Sequence, residues 1–222
     1  MKRIKISLVL NILIFVLVTI SCIFMFLGIR YMGGKTLLES TSLVMFKYYT
    51  VDSNILAGIA SLILAIYEIL FLKGKIKEIP NKIYLFKLIS VCGITLTFIV
   101  TLFFLAPQFG FLAMYNNNNL FFHGIIPILC LISYIGLELH PTKYRYALLG
   151  IIPMFIYSIY YTLNILIHLN DGGLTFKYDF YGFLGGNLNN IFIVIPIIYL
   201  VTYLFSLLIV FLNKKIGDKY EV

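Results

Sequence analysis

Six stretches of this 222-residue chain, at about residues 6–29, 51–72, 83–105, 120–138, 147–168 and 190–212, are almost unbroken runs of apolar side chains. An α-helix rises 1.5 Å per residue, so about 20 apolar residues cross a hydrocarbon layer roughly 30 Å thick, and each run is of that length. Spanning strands would be about half as long and would alternate in polarity. Backbone N–H and C=O groups have no water to bond in lipid, which leaves the helix as the conformation for each run. The chain is therefore expected to be all-α, a polytopic membrane helix bundle of six transmembrane helices forming a single transmembrane domain over residues 1–222. The intervening segments are short, and Pro80, Pro107 and Pro141 fall in them, where proline ends helices at little cost.

Hydrophobic residues make up 61% of the chain and charged residues 12%, against about 25% charged in an ordinary soluble domain. The net charge of +8 does not indicate nucleic acid, because the lysines flank the apolar runs, where they act as topology signals and contacts to anionic lipid. Alternate connections carry unequal shares of lysine and arginine. Lys2, Arg3, Lys5, Lys73, Lys75, Lys77, Lys82, Lys143, Arg145, Lys214, Lys215 and Lys219 lie on one side, twelve in all, and four, Arg30, Lys35, Lys47 and Lys177, on the other. Lys87 is intramembrane and is left out of the count. The excess places both ends of the chain in the cytoplasm of a cell-membrane protein. The run from Ile6 to Ile29 is too long for the roughly 7–15 residue core of a signal peptide and lacks an Ala-x-Ala site, so it is expected to stay as an uncleaved helix. Cys22, Cys92 and Cys130 sit in three different runs and are expected to be packing residues. No glycine-rich phosphate loop or metal-ligand spacing is present, and no cofactor is expected. The expected partners are membrane lipids.

Polar residues that lipid should exclude gather at the outer ends of the helices. The second helix begins with Lys47-Tyr48-Tyr49-Thr50-Val51-Asp52-Ser53-Asn54 and the fourth with Asn116 to Asn119 and then His123. Asn164 and His168 end the fifth, and the loop over 169–189 adds Asp171, Lys177, Asp179 and several tyrosines. Thr50, Asn54, Ala57, Ser61, Ala65 and Glu68 recur at steps of three and four and share one helix face. Small residues there suit close helix packing, which accounts for Ser61 and Ala65 better than for Thr50 and Asn54. His123 lies about one turn inside the fourth helix, on the order of 5 Å deep and level with Thr50. A neutral imidazole is the usual proton acceptor for a hydroxyl nucleophile, and a threonine hydroxyl needs one. A hydrogen-bonded structural histidine is the alternative.

Tyr49-Thr50-Val51-Asp52-Ser53-Asn54 resembles the aromatic-Thr-x-x-Ser-Asn entry to the second helix of membrane proteins related to the androgen-induced protein and androgen-dependent TFPI-regulating protein family, in its bacterial branch. His123-Gly124-Ile125-Ile126-Pro127 is similar to that family's histidine-and-proline segment on the fourth helix, and Tyr178 to Leu184 is similar to its Tyr-Pro-Phe-Leu-Asp segment before the last. The chain differs from the pattern at Tyr181-Gly182, where the family has Tyr-Pro, and at Gly185, where it has Asp. The resemblance implies an intramembrane threonine hydrolase acting on fatty acid esters of hydroxy fatty acids, with Thr50 as nucleophile and His123 as base.

The expectation is thus a lipid-ester hydrolase whose acyl chains lie among the helices. Asn54, one turn from Thr50, would donate to the oxyanion. Ser53, about 60° round the helix from Thr50, is a second candidate for the site or a packing residue. Asp52 points about 200° away from Thr50 and is better placed to favour the helix start. Lys47 and Lys177 are expected to be interfacial anchors. Two rival classes remain. One is a small proton- or ion-coupled transporter using Glu68, Glu138, His123 and His168, and the other is a non-catalytic membrane assembly protein. Glu68, near the cytoplasmic end of its helix, can also snorkel or pair with Lys73 or Lys75, the preferred reading. Reporter fusions test the topology: a fusion after residue 78 should report cytoplasm and one near residue 115 the exterior. Both on one side would exclude six crossings.

Overall fold

The computed structural model describes residues 1–34 and 36–220, so Lys35 of the charge count lies outside the described residues. Six helices are long and apolar enough to cross a membrane: α1 (Lys2–Leu27), α2 (Tyr49–Leu72), α3 (Asn81–Phe109), α4 (Asn118–Gly136), α5 (Tyr144–Ile167) and α6 (Leu188–Lys219). No strand occurs among the described residues. The chain is an all-helical, multi-pass membrane protein. Below, the face where α1 begins is called proximal and the face where α2 begins distal.

Hydropathy alone does not rank the helices, but packing does. Over its most apolar stretch α3 is 61% buried, against 22% for α6. α3 packs against α2, α4, α5 and α6, while α1 completes the bundle against α2 and α4. The composition of α3 explains its place: Ser90, Cys92, Gly93, Thr95 and Thr97 give it small side chains that neighbouring backbones can approach closely. Ile12, Phe103, Phe155, Ile156, Phe192 and Leu200 point outward with large exposed surfaces, as lipid-facing residues do.

Two helices depart from regular geometry. α3 runs past the expected end at residue 105 to Phe109, so Pro107 lies within its last turns and not in a connection. A wide π turn at Thr101–Leu105 precedes the proline and accommodates its missing N–H and ring. The second π turn is Phe121–Ile125, one turn before Pro127, and His123 sits at its centre. Such turns rotate the following side chains relative to a regular helix and often mark functional positions.

α3, α5 and α6 meet at Gly150. A Cβ there would lie 2.4 Å from Ser206 Oγ, 2.8 Å from Ser206 Cβ and 2.9 Å from Cys92 Cβ. Ser206 is itself fixed, donating to the Ala147 carbonyl at 2.7 Å while Cys92 Sγ donates to it at 3.2 Å. Gly150→Ala should therefore lower the stability of the detergent-solubilised protein by about 1–3 kcal/mol, the usual cost of overpacking, read as a fall in Tm. An unchanged Tm would show that this crossing tolerates separation.

Candidate functional site

Tyr49, Thr50, Ser53 and Asn54 are all buried in the first turns of α2. Asn54 Nδ2 donates to the Thr50 carbonyl at 2.8 Å, one turn back, and to the Phe122 carbonyl of α4 at 3.1 Å. One carboxamide thereby ties the start of α2 to the residue preceding His123. Both hydrogens of Asn54 Nδ2 are engaged in this bridge, which leaves none for an oxyanion, and its Oδ1 is buried without a partner. Ser53 turns to α3, its Oγ lying 2.8 Å from Thr97 Oγ1 and donating to the Thr50 carbonyl at 3.1 Å.

His123 is 1% exposed. Its Nδ1 lies 2.7 Å from the Met114 carbonyl oxygen. A carbonyl only accepts, so Nδ1 carries the hydrogen and, in the neutral ring, Nε2 presents a lone pair. The ring also meets Tyr115 edge-on, with centroids 6.1 Å apart. No hydrogen bond joins Thr50 Oγ1 to His123 among the described residues; the Asn54 bridge is what links their helices.

Thr50 lines a small cavity of about 30 Å³ with Tyr49, Thr97, Thr101, Tyr157 and Tyr181 among its walls, room enough for a water molecule. Asn54 and His123 are not in its lining. The Tyr49 and Tyr181 hydroxyls are buried without a hydrogen-bond partner. The Tyr157 hydroxyl, in contrast, donates to the Lys47 carbonyl at 2.6 Å. Burial pushes the Tyr181 phenol well above its ordinary pKa, so it remains a neutral O–H donor beside Thr50. Leu96, Val100, Phe183 and Ile198 are shared with a second cavity of about 370 Å³ between α3 and α6, lined entirely by apolar side chains. Phe103 and Ile197 on that cavity are 72% and 54% exposed, which opens it to the lipid-facing surface.

Tyr181 reaches this position because the loop before α6 is fixed. Asp179 accepts from the Tyr161 hydroxyl through Oδ1 and from Leu184 N–H through Oδ2 at 3.0 Å. Gly182 has φ 69°, a left-handed conformation closed to proline, whose ring holds φ near −65°. Glycine at that position, where the family pattern has proline, is thus built into this loop's path. Tyr181 carries no expectation from the sequence, where it is one of several tyrosines in this loop.

Most other polar residues of the distal face are occupied, although both amide atoms of Asn118 are buried without a partner. Asn117 Oδ1 accepts from Tyr31 and Met32 N–H at 2.9 and 2.8 Å, Asn116 donates to the Gly33 carbonyl at 2.9 Å, and Asn119 donates to the Leu37 carbonyl at 2.7 Å. Three of the four asparagines therefore hold the loop after α1. His168 stacks on Tyr178 at 4.0 Å and bonds the Asn164 carbonyl. The Lys47 and Lys177 ammonium groups lie over Tyr48 and Tyr178 at 5.0 and 4.7 Å. Asp52 borders a different cavity, with Pro153 and Tyr160, away from Thr50.

At the proximal end, the expected pairing of Glu68 with Lys73 or Lys75 does not occur among the described residues. Glu68 is 2% exposed, and its Oε2 accepts from Asn11 of α1 at 3.4 Å. It faces inward on the same stripe as Ser61, which receives a hydrogen bond from Lys87. Lys87 has no exposed surface.

Replacing Asn54 with Ala would leave the buried Phe122 carbonyl without its side-chain donor. That should cost about 1–3 kcal/mol of stability in the absence of any substrate, measured by thermal unfolding in detergent. Unchanged stability would mean that the α2–α4 bridge carries no structural weight. No protein-family model, curated protein or solved structure shows a recognisable match to this chain.

Proposed function

We propose that the protein is an intramembrane lipid-ester hydrolase with Thr50 as its nucleophile and His123 as its base. The observation that carries this reading is the pair of adjoining cavities, in which a threonine and two unpartnered phenols stand at the inner end of an apolar groove that opens toward lipid. An acyl chain in the groove would bring its ester carbonyl toward Thr50. Small movements of the aromatic walls are needed to admit it, since the inner cavity holds little more than water.

In the proposed reaction Thr50 Oγ1 attacks the carbonyl carbon and its proton passes to His123 Nε2, directly or through one water. The Met114 carbonyl holds the imidazole in the tautomer that this step requires. Tyr181 O–H, in place of Asn54, donates to the oxyanion. The protonated His123 then returns its proton to the leaving alkoxide, and water hydrolyses the acyl-threonine with His123 again as base. Charge asymmetry along the chain makes the proximal face cytoplasmic and the cavity accessible from the outer leaflet. The resemblance to the threonine hydrolases of the androgen-induced protein family favours fatty acid esters of hydroxy fatty acids as the substrate class.

Purified protein should turn over such esters and be labelled by a fluorophosphonate probe. Thr50→Ala and His123→Ala should each abolish both, without additive losses when combined, because residues acting as one unit fail together. Tyr181→Phe should lower kcat by about 10²–10³ while labelling persists at a reduced rate. Wild-type protein inert to the probe and to a broad ester panel would remove the hydrolase reading.

A further inference from the structure

A second buried polar assembly lies near the opposite end of α2. Eighteen residues separate Thr50 from Glu68, about 27 Å along the helix. Glu68 of α2, Lys87 of α3 and Glu138, just past α4, are 2%, 0% and 2% exposed. Lys87 Nζ donates to Asn11 Oδ1 at 2.8 Å and to Ser61 Oγ, and it lies 3.9 Å from Glu138 Oε1. Ser61 spends its own hydrogen on the Ala57 carbonyl at 2.7 Å, so it must accept from the lysine. Nζ thus has two hydrogen-bond acceptors and a carboxylate oxygen in ion-pair range. Asn11 Nδ2 in turn lies 3.4 Å from Glu68 Oε2 and 3.1 Å from Glu138 Oε1, and Ser133 Oγ donates to Glu138 Oε1 at 2.6 Å.

The charge in this assembly does not balance. One ammonium faces two carboxyl groups, and a net negative charge at membrane depth is strongly disfavoured unless a proton neutralises it. We propose that Glu68 and Glu138 share one exchangeable proton, seated chiefly on Glu68, which enters from the proximal face past His140. Glu138 Oε1 accepts from two donors and faces the ammonium. Glu68 has only the long Asn11 contact in addition to its neighbourhood with Ser7.

The route is marked by polar atoms left open. Glu138 Oε2, the Tyr134 hydroxyl and His140 Nε2 are all buried without a partner. His140 Nδ1 lies 3.1 Å from the Glu138 backbone carbonyl, and its ring stacks on Tyr84 at 4.6 Å and meets Tyr134 at 5.8 Å. It borders two proximal cavities of about 450 and 220 Å³. Burial lowers the pKa of His140, which leaves Nε2 with a free lone pair. A proton from cavity water binds Nε2, passes to Glu138 Oε2 and is shared with Glu68; no other bond changes. The groups that face the pair are Tyr84 and Lys87 from α3, Cys130 and Tyr134 from α4, and His140, while Arg3 of α1 stands beside Tyr84. Glu78, Lys143, Lys214 and Asp218 stand at the cavity mouths, and Asn213 of α6 donates to the Glu138 carbonyl at 3.2 Å.

Infrared difference spectroscopy of the full chain in lipid nanodiscs tests this. Wild-type protein should show a protonated carboxylic-acid C=O band that persists from about pH 5 to about pH 8, well above the ordinary carboxylate range. The band should disappear in both Glu68→Gln and Glu138→Gln, because either change leaves one carboxylate against one ammonium. Its exchange with deuterated water should slow about a hundredfold in His140→Phe, the lower end of what a positioned acid–base group contributes. No such band in the wild type, or a band unchanged in both glutamine variants, would overturn the shared proton. Unaltered exchange in His140→Phe would overturn the route. The wild-type measurement requires no variant to fold.

Discussion

The ammonium of Lys87 is the constraint around which the proximal half of the bundle is organised. A charge with no exposed surface has to be met by fixed dipoles and an opposite charge, because its desolvation in protein costs several kcal/mol even after relaxation. Those partners come from every neighbouring element: Asn11 from α1, Ser61 from α2 and Glu138 from the end of α4. Asn213 of α6 extends the same network by donating to the Tyr134 and Glu138 carbonyls. Between lipid-exposed helices there is little hydrophobic force to choose one packing over another, since lipid tails are as apolar as leucine. Hydrogen bonds to a single buried cation are directional, so they fix the rotation of α1, α2 and α3 together, and the ion pair with Glu138 adds the end of α4.

The spans were legible from the chain because hydropathy over about 20 residues responds to one physical requirement, the satisfaction of backbone groups within lipid. The helix ends lie within about four residues of the runs, except that α6 continues seven residues past 212 to Lys219; α3 continues past Pro107 to Phe109. The π turn that permits this depends on packing and leaves no trace in periodicity. The stripe from Thr50 to Glu68 was likewise legible, since it follows from the helical period, and all six of its members are buried. The identity of its partners was not. Lys87 meets Asn11 across 76 positions and Glu138 follows α4, and no local rule relates residues on different helices. A polar or charged residue at comparable depth in each of the first four helices was the available signal for a shared site.

The distal half shows a different limit. Asparagine at membrane depth suggested a polar site, yet Asn116, Asn117 and Asn119 are consumed by the backbone of the loop after α1, and Asn54 by the carbonyls of Thr50 and Phe122. A carboxamide that offers both donors and an acceptor is suited to bracing irregular backbone, and each of these residues lies beside a helix end or a π turn. Thr50, His123 and Asn54 therefore belong to one neighbourhood for which α2 and α4 must be held together. Asn54 holds the two helices together through the bridge itself.

The two buried polar layers differ in how fully they are satisfied. Around Lys87 most donors and acceptors are matched; the open ones are Glu138 Oε2, Asn213 Oδ1 and the Tyr134 and His140 groups leading to the proximal cavities. Around Thr50 the phenols of Tyr49 and Tyr181 are buried unpaired at a cavity wall, each at an energetic cost. A fold stabilised only for its own sake would have phenylalanine at both positions, with the same ring packing and no orphan donor. Retaining the hydroxyls makes sense if an acceptor arrives from outside the protein, and the adjoining groove admits only an apolar molecule. An apolar body with a hydrogen-bond acceptor at its inner end is what the proposed ester substrate would bring. The unmatched donors thus support the proposed ligand class whether or not Thr50 goes on to attack it.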